Sequence, residues 1–148
     1  MNSTSITIGR DDQVSSVTIG ETAPLAFLGG PCAIERSDHA RMMAERIGAI
    51  CDKLDIPWIY KSCYDKDCRS APDSFHGIGL DEGSKILSSI RTEFGIPIVS
   101  DFSDVNWVKP TGEVIDLTQV SAYLCRQTTI LRAAGTTGFR FISKKGNS

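Results

Sequence analysis

An α/β fold on a parallel sheet, entered through a β-hairpin, is the class this sequence predicts, and three observations predict it. Two short alternating runs, Ser5-Ile6-Thr7-Ile8-Gly9 and Ser16-Val17-Thr18-Ile19-Gly20, flank the polar stretch around Asp11-Asp12-Gln13; alternation on both sides of a polar turn region marks an antiparallel pair. From Leu25 onward, short apolar runs alternate with stretches of helical period, the order that gives right-handed βαβ units. The 148 residues, 41% hydrophobic and 23% charged, have the size and balance of one ordinary domain.

The elements follow in order. Leu25-Ala26-Phe27-Leu28 reads as a buried strand ending in Gly29-Gly30-Pro31-Cys32. Ser37 is the expected N-cap of a helix, with Asp38 in its first turn against the helix dipole. Met43, Ile47, Ile50, Cys51 and Leu54 recur at helical spacing. Pro57-Trp58-Ile59-Tyr60 is the second strand and runs into Lys61; a long loop reaches Gly79, and Ile86, Leu87, Ile90 and Phe94 mark the next helix. Pro97-Ile98-Val99 leads into Ser100-Asp101 as a third strand, and a short, weakly periodic connection around Trp107 precedes Val114-Ile115-Asp116-Leu117 as the fourth. Leu124, Ile130, Leu131 and Ala134 support a helix, and Gly138-Phe139-Arg140-Phe141-Ile142 is the fifth strand.

Composition excludes several function classes. Sixteen basic against eighteen acidic residues give a formal charge of −2, so no cationic field points to nucleic acid or to an anionic membrane. Apolar runs are far shorter than the ~20 residues needed to cross a bilayer. Met1 to Gly9 is polar, and no signal peptide is expected. Five cysteines with no Cys-x-x-Cys pair favour reduced thiols in the cytoplasm over a disulfide framework. No tandem repeat or linker divides the chain.

In parallel sheets the chemistry sits beyond the C-terminal strand ends, whether the sheet is open or closed. Cys32, Lys61, Asp101, Gln119 and Lys144 fall at or just after the five strand ends, in order. Two lysines, a carboxylate, an amide and a thiol around one rim suit an anionic small molecule. Between Lys61 and Ser70 the chain carries Lys61, Lys66 and Arg69, cations that grip phosphate or carboxylate. The plain alternative is a solvated charged loop.

These motifs carry a resemblance. The segment Lys61-Ser62-Cys63-Tyr64-Asp65-Lys66-Asp67-Cys68-Arg69-Ser70 is similar to the Lys-Ala/Ser-Ser-Phe-Asp-Lys-Ala-Asn-Arg-Ser signature of the 3-deoxy-D-manno-octulosonate 8-phosphate synthases, matching at Lys61, Asp65, Lys66, Arg69 and Ser70. Gly30-Pro31-Cys32-Ala33-Ile34-Glu35 resembles the opening motif of the metal-requiring branch, and Leu124-Cys125-Arg126-Gln127-Thr128 and Lys144-Lys145-Gly146 match as well. Several motifs in register over essentially the whole chain are far more specific than any one of them. The resemblance implies a TIM (β/α)8 barrel, with residues 1–22 as its hairpin and 23–148 as strands one to five. Such a barrel takes ~250 residues, so it implies a domain cut after strand five, with impaired activity expected. It also implies an aldol-type condensation of phosphoenolpyruvate with arabinose 5-phosphate, releasing phosphate, in lipopolysaccharide sugar synthesis. Lys61, Lys66, Gln119 and Lys144 would surround phosphoenolpyruvate, and Asp101 would face the reacting centre. Arg69, Ser70 and Cys68 would meet the sugar phosphate, and Cys32 would ligate a divalent metal (Fe, Zn or Mn) whose other ligands come from later strands. A homo-oligomer, or pairing with another barrel chain, is implied in turn.

The chain also departs from the family pattern. Cys63 stands for a Ser, Cys68 for an Asn, Phe102-Ser103-Asp104 follows Asp101 in place of Val/Ile-His-Glu, and Ser121 replaces a Pro. A thiol is a weak donor and a weak acceptor, so the change at Cys68 weakens a bond to the sugar. Cys51 and Cys125 read as core, His39 and His76 as surface, and Trp58 as packing; Trp107 has no assigned role. Two other readings stand beside the enzyme. One is a non-catalytic phosphosugar-binding or assembly module, and the other an open flavodoxin-like sheet.

Overall fold

The computed structural model describes residues 5–66 and 69–144. β1 (Ile6–Ile8) and β2 (Val17–Ile19) pair antiparallel, with Ile8 opposite Val17, as the alternating runs predict. Five strands follow: β3 (Phe27–Gly29), β4 (Trp58–Lys61), β5 (Ile98–Phe102), β6 (Leu117–Val120) and β7 (Phe141–Ser143). They lie side by side in chain order, and every pairing is parallel. Between them run α1 (Ser37–Leu54), α2 (Leu80–Phe94), α3 (Val108–Val114) and α4 (Thr128–Thr136). Each crossover therefore leads to the adjacent strand. That is the winding of a (β/α) barrel, whereas an open doubly wound sheet reverses its strand order at a switch point. The flavodoxin-like reading falls on this observation.

Period-two alternation divides the sheet into two faces. Trp58, Tyr60 and Ile98 face the helices and join Ala40, Ala44 and Cys51 of α1 and Ile86, Leu87 and Ile90 of α2 in one core. Phe102 and Val120 meet Val108, Leu124, Ile130 and Ala134 in a second. Ile59, Val99 and Leu117 face the concave side, where Ile8 and Val17 of the hairpin cover them. The hairpin thus closes the N-terminal end of the concave face with apolar side chains.

A buried ionic network fastens it there. Arg91, 4% exposed, donates from Nε and Nη2 to both oxygens of Asp116 (3.0 and 2.9 Å) and from Nη2 to Asp11 (2.8 Å). Asp116 also accepts the Ile98 and Arg10 backbone N–H groups (3.0 and 3.1 Å). The Arg10 guanidinium donates to the terminal α3 carbonyls of Gly112, Glu113 and Val114, satisfying acceptors that a helix end leaves open.

Five expectations are corrected. The run at Leu25 is not buried: Leu25 is 84% and Phe27 45% exposed, because β3 is an edge strand. Arg36, not Ser37, is the N-cap of α1, without a side-chain cap bond. Ile50 and Leu54 are exposed, since α1 turns the face of Ala40, Ala44 and Cys51 to the core. The fourth strand begins at Leu117, as Val114 ends α3 and Asp116 is committed to Arg91. The connection at Trp107 is helical, a 3-10 turn (Val105–Trp107) leading into α3, and Trp107 packs edge-on against Tyr64 at 5.9 Å.

Candidate functional site

The alternation that sends Ile59, Val99 and Leu117 to the concave face sends Lys61, Asp101 and Gln119 there as well, two residues further along β4, β5 and β6. Asp101 and Gln119 are ladder partners. Gln119 belongs to its strand rather than following it. The apolar layer is thus succeeded by a polar layer at the C-terminal strand ends.

The polar layer is centred on Asp101, 6% exposed. Its Oδ2 accepts from Ser121 Oγ at 2.9 Å, Lys66 Nζ at 3.3 Å and Gln119 Nε2 at 3.4 Å. Its Oδ1 lies 4.0 Å from Lys61 Nζ and accepts no hydrogen bond from nitrogen or oxygen among the described residues. Lys61 Nζ donates instead to Cys63 Sγ at 3.3 Å. Both ammonium groups are largely sheltered, with side chains 17% exposed for Lys61 and 11% for Lys66.

Charge states follow from this packing. Burial alone would raise the Asp101 carboxyl, but the Lys61 charge, the Cys63 thiol, the Lys66 charge and the Ser121 hydroxyl together hold it below the ordinary value. Burial disfavours the Lys66 ammonium, yet the Cys63 sulfur and the Asp101 carboxylate outweigh it and keep the lysine protonated. Burial and the Asp101 charge push the Cys63 thiol up. Cys63 is therefore a neutral hydrogen-bonding group at neutral pH, not a thiolate nucleophile.

Local structure holds these side chains. After β4 the chain runs beside the segment following β3, with Ala33 and Cys63 bridged and Ile34 N–H donating to Cys63 O at 2.9 Å. Ser62 Oγ donates to Pro31 O at 2.9 Å. A Cβ at Gly30 would collide with the Lys61 carbonyl, so glycine there permits the close approach of the two strand ends. Gly77, at φ +139°, passes close to the Tyr64 carbonyl, which accepts the Gly79 N–H at 2.9 Å. Tyr64 is itself fixed by a hydroxyl contact with Thr111.

The structure brings together Lys61, Lys66, Asp101 and Gln119 of the expected set. Arg69, Ser70 and Lys144 are exposed, and their side chains make no hydrogen bond or ion pair to the cluster among the described residues. The Lys144 backbone N–H donates to Val120 O at 3.1 Å, which sets this lysine beside Ser121 at the same end of the sheet. Cys68 lies outside the described residues. Cys32 is exposed. Among the described residues no group of three His, Cys, Asp or Glu side chains could hold a metal ion. Cys32 is thus a single candidate ligand, short of the three protein ligands usual at catalytic sites.

Two members of the cluster went unrecognised in the sequence. Cys63 and Ser121 read there only as departures from a pattern, yet one bonds Lys61 and the other Asp101. Their signal is positional, since each lies two residues beyond a predicted site residue. His39 is half-buried with its Nδ1 sheltered, whereas the His76 side chain is 39% exposed, its Nδ1 lying 3.7 Å from Asp65 Oδ1. Cys51 is core, as expected, while Cys125 is only partly buried. No described helix is long and apolar enough to cross a membrane.

Comparison with known proteins gives a consistent pattern. The DAHP synthetase I family model matches residues 4–148. A 2-dehydro-3-deoxyphosphooctonate aldolase of Granulibacter bethesdensis is 42% identical over 133 residues, covering 90% of this chain and 47% of that protein. The protein of the same name from Rickettsia felis is 41% identical over 134 residues, 90% of this chain and 49% of its own. One from a Synechococcus strain is 43% identical over 121 residues, 82% and 43% of the two chains. The chain spans about half the length of the curated relatives it matches.

Proposed function

Since the chain belongs to the DAHP synthetase I family, we propose that it condenses phosphoenolpyruvate with arabinose 5-phosphate and releases inorganic phosphate. Its relatives' name, 2-dehydro-3-deoxyphosphooctonate aldolase, denotes the octulosonate 8-phosphate synthase. The observation that carries the reading is the cluster of Lys61 and Lys66 around buried Asp101 at the C-terminal strand ends. The enol carbon attacks the aldehyde carbon, forming the new C–C bond. A water oxygen adds to the cationic carbon this leaves, its protons going to the former aldehyde oxygen and to the departing phosphate, and the C–O bond to phosphate then breaks with phosphate keeping the original bridging oxygen. Two ammonium groups held in place by a carboxylate meet the charge of phosphoenolpyruvate without reorganising. Gln119 adds an amide donor beside them, and Asp101 orients the sugar.

Lys144 contributes a further cation from the next strand end. Arg69, Ser70 and Cys68 form the sugar-phosphate side of the site in this reading, with Cys68 a weaker partner than an amide. Cys32 would be the metal-ligating position of the metal-requiring branch. The described residues do not complete a metal site around it, and no step above passes through a metal. A homo-oligomer or a second barrel chain is the proposed assembly.

The test is phosphate release from phosphoenolpyruvate by this chain, with and without arabinose 5-phosphate and added divalent metal. The expected result is release that depends on both substrates and falls at least a hundredfold in Lys61→Ala. Absence of release at every metal and protein concentration overturns the catalytic reading. The second reading, a phosphosugar-binding module, is favoured by the exposure of Arg69, Ser70 and Lys144 outside the cluster. It requires calorimetric binding of phosphoenolpyruvate without turnover, and no heat at millimolar ligand removes it.

A further inference from the structure

The geometry points to Ser121 as a positioning residue that fastens one oxygen of Asp101 and leaves the other as the acceptor for a hydroxyl of the sugar phosphate. Ser121 Oγ, Lys66 Nζ and Gln119 Nε2 all converge on Oδ2, and the hydroxyl bond is the shortest of the three. A carboxylate oxygen accepts about two hydrogen bonds, so Oδ2 has no capacity left. Oδ1 is buried and accepts no hydrogen bond from nitrogen or oxygen among the described residues, the Cys63 thiol beside the carboxylate being a weak donor. Its charged neighbour, Lys61 Nζ at 4.0 Å, is engaged by Cys63. A buried carboxylate oxygen without a strong donor is costly unless a ligand supplies one, and a polyol hydroxyl is a donor of the right kind. The assignment of that hydroxyl to the sugar phosphate rests on the reading under Proposed function.

The position of Ser121 makes the role specific. It follows Gln119 by two residues, on the same face of the chain, and begins the 3-10 turn Ala122–Leu124. Its φ of −61° and ψ of 152° are values that proline also adopts, in keeping with the proline found there in the related pattern. Proline could keep the backbone path but offers no donor. The serine therefore adds a bond to Asp101 without altering the turn, and it does so next to a second departure, Cys63, which engages Lys61 in the same cluster. The pair of changes leaves Asp101 and Lys61 each with a neutral partner.

The test compares Ser121→Ala, Ser121→Pro and Ser121→Thr with the wild-type chain, in two measurements. Calorimetry with arabinose 5-phosphate and with phosphoenolpyruvate reads the ligand side. Carbon-detected NMR titration of the Asp101 carboxyl reads the fastening itself and needs no ligand. Loss of one charge-assisted hydrogen bond predicts a roughly fivefold to tenfold weaker affinity for arabinose 5-phosphate in the Ala and Pro variants. Phosphoenolpyruvate affinity is unchanged, the Asp101 midpoint moves up, and Thr restores both properties. An unmoved midpoint in Ser121→Ala overturns the positioning role. Equal weakening of both ligands overturns the assignment of Oδ1 to the sugar. A wild-type chain that binds neither ligand overturns the reading under Proposed function and the sugar assignment with it, while the midpoint comparison still decides the fastening.

Discussion

Asp101 gathers more of the site than any other residue, and its two oxygens do different work. Oδ2 holds Lys66, Gln119 and Ser121 in place, and its charge faces Lys61. Asp101→Asn would leave two sheltered ammonium groups without a counter-charge. Breaking a fully buried pair costs about 3–5 kcal/mol; since both lysines keep some water, the expected loss is about 2–3 kcal/mol by thermal or urea unfolding. Inorganic phosphate should bind the same variant several-fold more tightly, because the lysines are no longer neutralised. The pH dependence has a definite sign. The Asp101 carboxyl is depressed in the folded chain, so its stabilisation is present above the ordinary carboxylate value, ~3.9. It is lost as pH falls through the lower folded value. The stability gap between wild type and Asp101→Asn should therefore hold steady above about pH 4 and shrink progressively as pH falls below it, and a gap that stays constant down to the acid limit would contradict the ion-pair account. Of this site, the residue types at the strand ends were legible in the sequence. The roles of Cys63 and Ser121 were not, because a thiol or hydroxyl announces no partner until the opposing strand is in place.

At the level of elements, the hairpin depends on a network remote from the site. Arg91 on α2 grips Asp116, which precedes β6, and Asp11, which lies between β1 and β2. Asp116 is fully buried at its side chain. Arg91→Ala leaves that carboxylate without its cation, and the expected cost is about 3–5 kcal/mol. Arg91→Lys should recover only part of it, because a point charge cannot reproduce the forked contact. Hydrogen exchange at β1 and β2 should accelerate in both variants, and unchanged protection there would show that Ile8 and Val17 hold the hairpin without the network. Apart from the 3-10 turn and α3 between residues 105 and 114, the order and kind of elements were legible because apolar periodicity is a local property. The onset of β6 was not, since Val114-Ile115-Asp116 has the composition of a strand. Only the distant pairing of Asp116 with Arg91 and the Ile98 N–H commits that segment to another use.

At the scale of the sheet, β3 and β7 lie at its edges among the described residues, and both carry exposed apolar side chains. Phe27 is 45%, Phe141 40% and Ile142 37% exposed. A cleft of about 510 Å³ between the hairpin and β7 is lined by Ile6, Ile8, Ile19, Leu28, Leu117 and Phe141 among others. Free edges bearing apolar residues favour strand-to-strand association. The chain should self-associate with rising concentration in sedimentation velocity, and Phe141→Lys should shift it towards monomer by placing a charge on an edge. Identical sedimentation of the variant and the wild type would place the contact elsewhere.

The sequence by itself determined the α/β class, the hairpin, the order of five strands, and the family. It also marked Lys61, Asp101, Gln119 and Lys144 as residues at strand ends. All of these rest on periods of two and 3.6 residues, or on motifs read in register, and none needs a distant contact. Tertiary structure alone decided that Lys61, Lys66 and Gln119, which the resemblance already gathered at one site, converge on the Asp101 carboxylate itself, while Arg69, Ser70 and Lys144 stay exposed outside that cluster. It also decided which carboxylate oxygen Ser121 fastens, and that Asp116 serves the hairpin rather than a strand. Those outcomes depend on side chains many residues apart meeting at hydrogen-bonding distance, and chain pairing, not local pattern, sets that distance.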